Sequence, residues 1–175
     1  MIFIGLGGNL NSLVGSPQKT CLAAMADLGR AGVTTRRCSP WYETAPVPIS
    51  DQPWFVNAVA EVETQYNPQE LLSLLHTIEA KYHRVRSGLN GARTLDLDLL
   101  AYNDVVQDAD LKAEKSCLVL PHPRLHERAF VLLPLNDLAP DWRHPDLGLT
   151  AAELLHQLSP GQKAVRLPEA DQGLE

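Results

Sequence analysis

Cysteine pairs, long apolar runs and signal-like segments are scarce in this sequence, and each absence removes a class of protein. The three cysteines are far apart and form no C-x-x-C, which argues against a disulfide scaffold and a thiolate metal site. No apolar run approaches about 18 residues, and no basic segment precedes an apolar one. We therefore expect no membrane span and no signal peptide, but a cytoplasmic protein with reduced thiols.

An excess of positive charge is also missing. The 175 residues include 15 Lys and Arg against 21 Asp and Glu, a formal net charge of −6. Such a chain is a poor general binder of nucleic acid, because the phosphate backbone repels it. A polyphosphate ligand would have to be bound by locally clustered arginines and metal ions. The length is that of one domain with a substantial core.

Residues 93–100 (R-T-L-D-L-D-L-L) alternate leucine with polar residues, which predicts a β-strand. Successive side chains of a strand point to opposite faces, so Leu95, Leu97 and Leu99 should enter a core. The acidic residues between them, Asp96 and Asp98, then share the other face, with α-carbons about 7 Å apart. Two such carboxylates repel each other unless a cation lies beside them. Mg²⁺ prefers one or two carboxylates together with substrate phosphates.

The alternative for this strand is a solvated outer face, and two observations favour a site instead. Asp is disfavoured in strands, yet it occurs here twice. Arg84, Arg86 and Arg93 lie just upstream, so anion-binding and cation-binding groups converge on one region. For Arg84 and Arg86, charge compensation at the end of a helix, worth at most about 1 kcal/mol, is the competing explanation.

A glycine-rich segment follows the short strand that is predicted at residues 2–4. Residues 5–10 (G-L-G-G-N-L) are predicted to form a turn. A dinucleotide-binding G-x-G-x-x-G leads straight into a helix, whereas here Leu10 takes the third position, so we reject that function. Positive φ angles, or a close approach of chain to chain, would explain the glycines.

Capping signals predict three helices. Ser16-Pro17 and Asn67-Pro68 each place a capping residue before proline, and Glu70 completes a capping box for the second helix. The buried stripe of that helix leaves Glu79 at its rim. Thr150 caps a last helix that ends near Leu158.

Strands are predicted at residues 33–42 and 54–64, and Asn103-Asp104 is predicted to turn a hairpin. In the second strand Trp54 falls on the core face, whereas Phe55 and Asn57 share the other. An aromatic face beside an amide suits a flat heterocycle. Taken alone, however, the pair favours an aromatic in a second core layer with an Asn at the strand end, because aromatic residues are common in strands.

Two further segments carry candidate residues. The loop Thr44-Ala45-Pro46-Val47-Pro48 is stiff and extended, which leaves backbone groups free to meet a ligand. His122 and His126 are four residues apart, a spacing that a metal pair on a helix would share. No third ligand at suitable spacing joins them in the sequence, so a metal pair is the weaker explanation.

The element order β-α-β-β-α-β predicts an α+β protein with a split β-α-β arrangement, an antiparallel sheet with two helices on one face. C-terminal helices over the other face would give three layers, α/β/α. We predict one domain over residues 1–158. The polar segment at residues 159–175, which contains proline and glycine, is predicted to be a flexible tail.

Several motifs together resemble the 6-hydroxymethyl-7,8-dihydropterin pyrophosphokinases of folate biosynthesis, over residues 1 to about 155. The motifs are the glycine segment that ends in N-L, Y-E-T-A-P at residues 42–46, D-Q-P-W-F-V-N-A at 51–58, R-x-R at 84–86, R-T-L-D-L-D at 93–98, and P-H-P-R with R-A-F at 121–130. Few unrelated proteins would carry both of the last two. The resemblance implies a ferredoxin-like core and transfer of diphosphate from ATP to the pterin, with AMP as the other product.

The resemblance also implies roles for single residues. It makes Asp96 and Asp98 the ligands of two Mg²⁺ ions. It matches the pterin site to Thr44, Ala45, Val47, Phe55, Asn57 and Phe130, with the two aromatics on either side of the pterin. It matches the ATP site to Glu79, Arg84, Arg86, Arg93, His122 and Arg128, of which Arg84 and Arg93 would stabilise the transferred phosphates. The expected partners are ATP and the pterin, and we expect a monomer.

Four positions depart from the family pattern, at Gly8, Pro48, His83 and Asn90. In many members these positions hold Ser, Gly, Gly and Trp respectively. The departures concern the turnover rate and the closure of loops more than the class of substrate. They are the motive for an alternative function, a weakly active or inactive paralogue that binds a pterin or a nucleotide on the same scaffold.

Overall fold

A computed structural model describes residues 1–82, 91–108 and 118–168 of the chain. The strands are β1 (Ile2–Gly8), β2 (Thr34–Cys38), β3 (Tyr42–Thr44), β4 (Phe55–Glu63), β5 (Asp96–Tyr102) and β6 (Ala164–Arg166). The helices are α1 (Pro17–Arg30), α2 (Pro68–Lys81), α3 (Ala129–Leu138) and α4 (Ala151–Gln157), with a short 3₁₀ helix at Leu125–Glu127.

The six strands form one sheet whose neighbours all run antiparallel. The order is β5-β1-β4-β3-β6, and β2 pairs with β4 further along the same edge. The succession β1-α1-β2-β4-α2-β5 is the predicted split β-α-β core, to which β3, β6 and the later helices are added. The predicted antiparallel α+β class is therefore confirmed.

Helices cover both faces of the sheet, as the three-layer prediction required. On one face α1 and α2 bury Leu28 and Leu75 against Ile4 and the other apolar side chains of that cluster. On the other face α3 and α4 bury Leu135 and Leu154 against their own cluster. The central strand β4 contributes to both cores, because its successive side chains point to opposite faces.

The helices begin where the capping residues predict. Ser16 accepts a hydrogen bond from the Lys19 N–H at 3.3 Å, with proline at the first turn. Asn67 and Glu70 form the predicted capping box, and Thr150 and Glu153 form a second one at the start of α4. These caps bond N–H groups that the helix itself leaves unpaired.

Three strand predictions are wrong in detail. The predicted turn at residues 5–8 is part of β1, because the side-chain-free glycines allow neighbouring chain segments to approach closely. The strand predicted at residues 33–42 is split into β2 and β3. Trp54 precedes β4 instead of lying in it, and its side chain is 40% exposed rather than in the core.

The predicted hairpin forms only its turn. The Val105 N–H donates to the Tyr102 carbonyl at 3.1 Å, but the described residues after the turn form no strand with β5. Instead the carbonyl of Leu100 on β5 accepts the N–H of His122 at 2.8 Å, so a later segment takes the place beside the strand.

The prediction of a flexible tail from residue 159 is wrong for residues 159–168. Within them β6 pairs with β3, where Tyr42 lies opposite Arg166 and Thr44 opposite Ala164. A polar composition does not exclude a strand at a sheet edge, because such a strand is held by main-chain hydrogen bonds and needs few apolar side chains. Residues 169–175 lie outside the described residues.

None of the helices in the three described ranges has the length and apolar character that crossing a membrane requires.

A buried carboxylate joins α1 to α2. Asp27 is 6% exposed and accepts hydrogen bonds from Lys81 Nζ at 2.7 Å and from the Tyr82 hydroxyl at 2.8 Å; Arg30 also pairs with it. The hydrogen bond from Lys81, with those from Tyr82 and Arg30, lowers the pKa of Asp27 from 3.8 to about 2.

We predict that Asp27→Ala lowers the free energy of unfolding by about 1–3 kcal/mol, measured by urea denaturation. The loss comes mainly from the buried Tyr82 hydroxyl, because the exposed Lys81 and Arg30 add little as surface pairs. A carboxyl with a lowered pKa stabilises the fold above its unfolded pKa and loses that effect as the pH falls through the folded value. The difference between wild type and Asp27→Asn should therefore shrink from about pH 5 to about pH 2; a difference that grew would contradict this assignment.

Candidate functional site

The two aspartates project from one face of β5. Leu95, Leu97 and Leu99 are buried in the core against α1 and α2, as the alternation predicts. Asp96 and Asp98 point to the opposite face, where both line the same cleft. The strand thus turns its acids towards the side of the sheet that α3 and α4 only partly cover.

Glycines of β1 form the floor of this cleft. Gly5 lies opposite Asp98 on one side and opposite Val59 on the other, and Gly7 lies between Asp96 and Asn57 in the same way. A Cβ added at Gly7 would stand 2.7 Å from Oδ1 of Asn57. The second of the two explanations offered for the glycines, a close approach of chain to chain, therefore holds here. Sequence reasoning missed the spacing signal: two glycines two residues apart in a strand lie on the same face.

The cleft has a volume of about 280 Å³, including the solvent at its mouth. Its walls come from β4, β5 and the start of α3, which places acids, an amide and an aromatic ring around an apolar floor. The lining residues are Gly5, Leu6, Gly7, Asn57, Ala58, Val59, Asp96, Asp98, Leu100, Phe130 and Val131.

Each aspartate is paired with an arginine that also lies against an aromatic ring. Arg93 Nη1 is 3.0 Å from Asp96 Oδ2, and its Cζ lies 5.6 Å from the centre of the Phe55 ring. On the other side Arg128 Nη1 is 3.6 Å from Asp98 Oδ2, and its Cζ lies 5.4 Å from the centre of the Phe130 ring. We call these two sets the Arg93 triple and the Arg128 triple. Each set brings a cation, an anion and a flat apolar surface to the same place.

Asn9 holds the Arg93 triple, a role that sequence reasoning did not assign. Its Oδ1 accepts the Arg93 N–H at 2.8 Å, and its own N–H donates to the Arg93 carbonyl at 2.9 Å. Its Nδ2 donates to the carbonyl of Pro53 at 3.0 Å, two residues before Phe55. The sequence shows only an amide directly after a glycine segment. Its burial, which requires hydrogen-bond partners, appears in the structure.

Asn57 is fixed by a hydrogen bond to Thr44. The Asn57 Nδ2 donates to Thr44 Oγ1 at 2.7 Å, and both side chains are buried. Thr44 is the last residue of β3 and not part of the predicted loop. The Ala45 N–H is also engaged, because it donates to the Lys163 carbonyl at 3.0 Å, whereas Val47 is partly exposed. The prediction that the backbone of this loop is left free is thus wrong for the N–H of Ala45.

Glu79 is buried rather than at the rim of α2. Its side chain is 2% exposed, and Oε1 accepts the N–H of Leu97 at 2.8 Å. A position one turn after Leu75 faces the sheet, so the helical period itself points to this burial. The carboxylate fixes β5 at the residue between the two aspartates.

His122 lies close to the Arg128 triple. Its Nδ1 accepts the N–H of Arg124 at 3.1 Å, which assigns the proton of the neutral ring to Nε2. Burial, together with the charges of Arg128 and Arg124, lowers the pKa of His122, although Asp98 opposes that shift. The neighbouring His126 packs instead against the His144 ring, and the described ranges bring no three potential metal ligands of the His, Cys, Asp and Glu types together.

Of the predicted residues, the structure places Asn57, Asp96, Asp98 and Phe130 in the lining of one cleft. Arg93, Arg128 and Phe55 join them through the two triples, Thr44 bonds Asn57, and the charges of Asp98 and Arg128 act on His122. The remaining predicted residues, Arg84 and Arg86, lie outside the described residues, as do His83 and Asn90 among the departures from the family pattern.

Comparisons with known proteins show the family of the chain. The family model for 7,8-dihydro-6-hydroxymethylpterin-pyrophosphokinase (HPPK) matches residues 3–140. The 2-amino-4-hydroxy-6-hydroxymethyldihydropteridine pyrophosphokinase of Pseudomonas aeruginosa is 39% identical over 170 residues, 97% of this chain and 98% of that protein. The protein of the same name from Synechocystis is 38% identical over 156 residues, 89% of this chain and 74% of that protein.

A solved structure shows the same fold. The wild-type HPPK-DHPS of Plasmodium falciparum with pteroate superimposes with a TM-score of 0.71 at 16% identity. The match covers 89% of this chain and 44% of the other, so this chain spans less than half of that longer protein. From the family model and the relatives of similar length, this chain belongs to the 7,8-dihydro-6-hydroxymethylpterin-pyrophosphokinase family.

Proposed function

We propose that this chain transfers the diphosphate of ATP to the hydroxymethyl group of 6-hydroxymethyl-7,8-dihydropterin and releases AMP, as an enzyme of folate biosynthesis. One observation carries the proposal: both aspartates, Phe130 and the buried Asn57 amide line one cleft over a glycine floor, and each aspartate belongs to an Asp–Arg–Phe triple. Family membership supports the class of reaction, and this geometry supports the roles below.

The pterin site is assigned to the aromatic and amide groups. Phe55 and Phe130 offer ring faces for stacking, and Asn57 offers its amide to the edge of the heterocycle. Thr44 holds that amide in place, because it accepts the Asn57 Nδ2. Ala45 and Val47 would meet the pterin through their backbones, and at Ala45 the carbonyl serves, since the N–H already bonds Lys163.

Asp96 and Asp98 would hold two Mg²⁺ ions. Both carboxylates face the cleft, and hard oxygen donors of this kind fit Mg²⁺ with phosphate ligands. When bound, the metals would neutralise the charge that develops on the phosphates. Glu79 contributes indirectly in this proposal: it is buried and fixes the backbone of β5 between the two ligands.

The arginines would exchange partners when the nucleotide binds. Arg93 and Arg128 now pair with the aspartates, and their side chains are only 19% and 16% exposed. The nucleotide phosphates would compete with the carboxylates for the guanidinium groups, which bind phosphate oxygens in bidentate geometry, and the carboxylates would then be free to hold metal. The charges in the cleft would stay balanced, because each guanidinium would exchange a carboxylate for a phosphate and each carboxylate would exchange a guanidinium for a metal ion. The resemblance adds Arg84 and Arg86 to the phosphate site.

His122 would serve the ATP site as a neutral hydrogen-bond donor. The bond that Nδ1 accepts from Arg124 leaves the proton on Nε2, and the lowered pKa keeps the ring uncharged at neutral pH. We assign no general base, because diphosphoryl transfer relies on positioning and charge stabilisation rather than on covalent chemistry of the protein. The monomeric state and the cytoplasmic location stay predictions.

The weakly active paralogue is the competing function, and the departure at Gly8 bears on it. A Cβ at Gly8 would stand 2.7 Å from the Thr94 carbonyl oxygen, so this strand end packs on the backbone next to Arg93. The departure thus belongs to the packing of the Arg93 triple and leaves its charges in place. Incubating the protein with Mg²⁺, ATP and the pterin separates the two functions. Pterin-dependent AMP supports the enzyme, whereas ADP or no product contradicts it.

We predict that Asp98→Asn lowers kcat by about 10²-fold or more, because the variant loses a metal-binding charge where phosphate charge must be neutralised. AMP release at saturating substrates measures this. The matched control is Asp104→Asn, in the exposed turn at the other end of β5, which should keep wild-type turnover. Equal rates for both variants would show that the metal assignment is wrong.

We predict that Gly7→Ala raises the KM for the pterin by about tenfold or more. The added methyl group would stand 2.7 Å from Oδ1 of Asn57, which is too close, so the amide must move. The control is Gly29→Ala in α1, where nothing lies within 4 Å of the added Cβ. That exchange should leave the KM unchanged and stabilise the protein by roughly 0.5–1 kcal/mol. Steady-state kinetics and urea denaturation distinguish the two variants; an unchanged KM for Gly7→Ala would contradict the placement of the pterin.

A further inference from the structure

Helix α3 begins without a cap of its own. Its N-cap residue is Arg128, whose side chain makes no capping hydrogen bond and instead pairs with Asp98. A helix start leaves its first N–H groups without intrahelical partners, and a capping side chain normally accepts one of them. The residue at this position is used in the cleft, so the start of α3 needs a cap from elsewhere.

Gln162, just before β6, supplies that cap. Its Oε1 accepts the N–H of Ala129 at 2.9 Å, and its Nε2 donates to the carbonyl of Glu127 at 2.8 Å. The two bonds hold the backbone on both sides of Arg128. One amide thus fixes both peptide groups of Arg128, whose guanidinium pairs with Asp98, and Phe130, which lines the cleft, lies two residues further on.

The support for Gln162 is itself anchored to the sheet. Directly after it, the Lys163 carbonyl accepts the Ala45 N–H, and β6 then pairs with β3. Arg166 on β6 reaches Asp137 of α3 at 3.6 Å. The segment around Gln162 is therefore tied both to the wall that carries Thr44 and to the helix that carries Phe130.

We propose that Gln162 is a positioning residue for the reaction, acting through Arg128 and Phe130; this rests on the function proposed above. Its two hydrogen bonds set where the Arg128 guanidinium stands over Asp98 and where the Phe130 ring closes the cleft. Residues 159–168 of the C-terminal segment thereby belong to the framework of the active site, although none of these described residues lines the cleft.

Gln162→Met tests the proposal, because methionine has nearly the same length but forms neither hydrogen bond. We expect kcat/KM for the pterin and for ATP to fall roughly tenfold, the equivalent of one lost cap. Gln162→Glu keeps an acceptor for the Ala129 N–H, at a helix end that favours negative charge, and should recover to within about threefold of wild type. If Gln162→Met does not fold, Gln162→Asn tests the same loss, because its side chain is too short to bond both the Ala129 N–H and the Glu127 carbonyl.

Two comparisons separate positioning from simple stabilisation of β6. Val165→Ala weakens β6 at an exposed position, and should lower the melting temperature without lowering kcat/KM. In an Arg128→Lys background, Gln162→Met should cost at most about twofold, because residues that act as one unit are not additive. A full tenfold loss in that background, or wild-type kinetics for Gln162→Met alone, would overturn the proposal. An inactive wild-type protein would overturn the proposed function and this inference together, whereas an active wild type with an unaffected Gln162→Met would overturn the inference only.

Discussion

Two like charges that must lie side by side are the constraint on which the rest of this structure depends. Asp96 and Asp98 share one face of an edge strand, and each carboxylate is held beside an arginine. Carboxylates this close destabilise each other unless opposite charge is fixed near them. The fold meets the constraint from two directions, with Arg93 just before β5 and Arg128 at the start of α3.

The framework behind those arginines is made of backbone hydrogen bonds to buried or bridging amides. Asn9 fixes the peptide groups of Arg93, and Gln162 fixes those around Arg128. Both amides lie far from their arginines in sequence and bond the peptide groups of those arginines directly. Side-chain amides suit this task, because each carries a donor and an acceptor and no charge that would disturb the ion pairs.

What the sequence predicts well is local. The capping residues Ser16, Asn67 and Thr150 act within one turn of helix, and the alternation around Asp96 follows from strand geometry alone. What it predicts poorly depends on contacts between distant segments. The burial of Glu79 requires the N–H of Leu97 on β5, and the regular structure within residues 159–168 requires the open edge of β3, with which β6 pairs. The helical period directs Glu79 towards the sheet, but neither of these partners can be identified from the residues nearby.

The glycine floor between β4 and β5 has a consequence for how the cleft can change over evolution. Gly5 and Gly7 present bare backbone, and at Gly7 even one added carbon collides with Asn57. Mutation can hardly deepen such a surface or add chemistry to it, since no smaller residue exists. New ligand preferences in this scaffold must therefore arise from the strand and helix ends around the cleft, while the glycine floor keeps its shape.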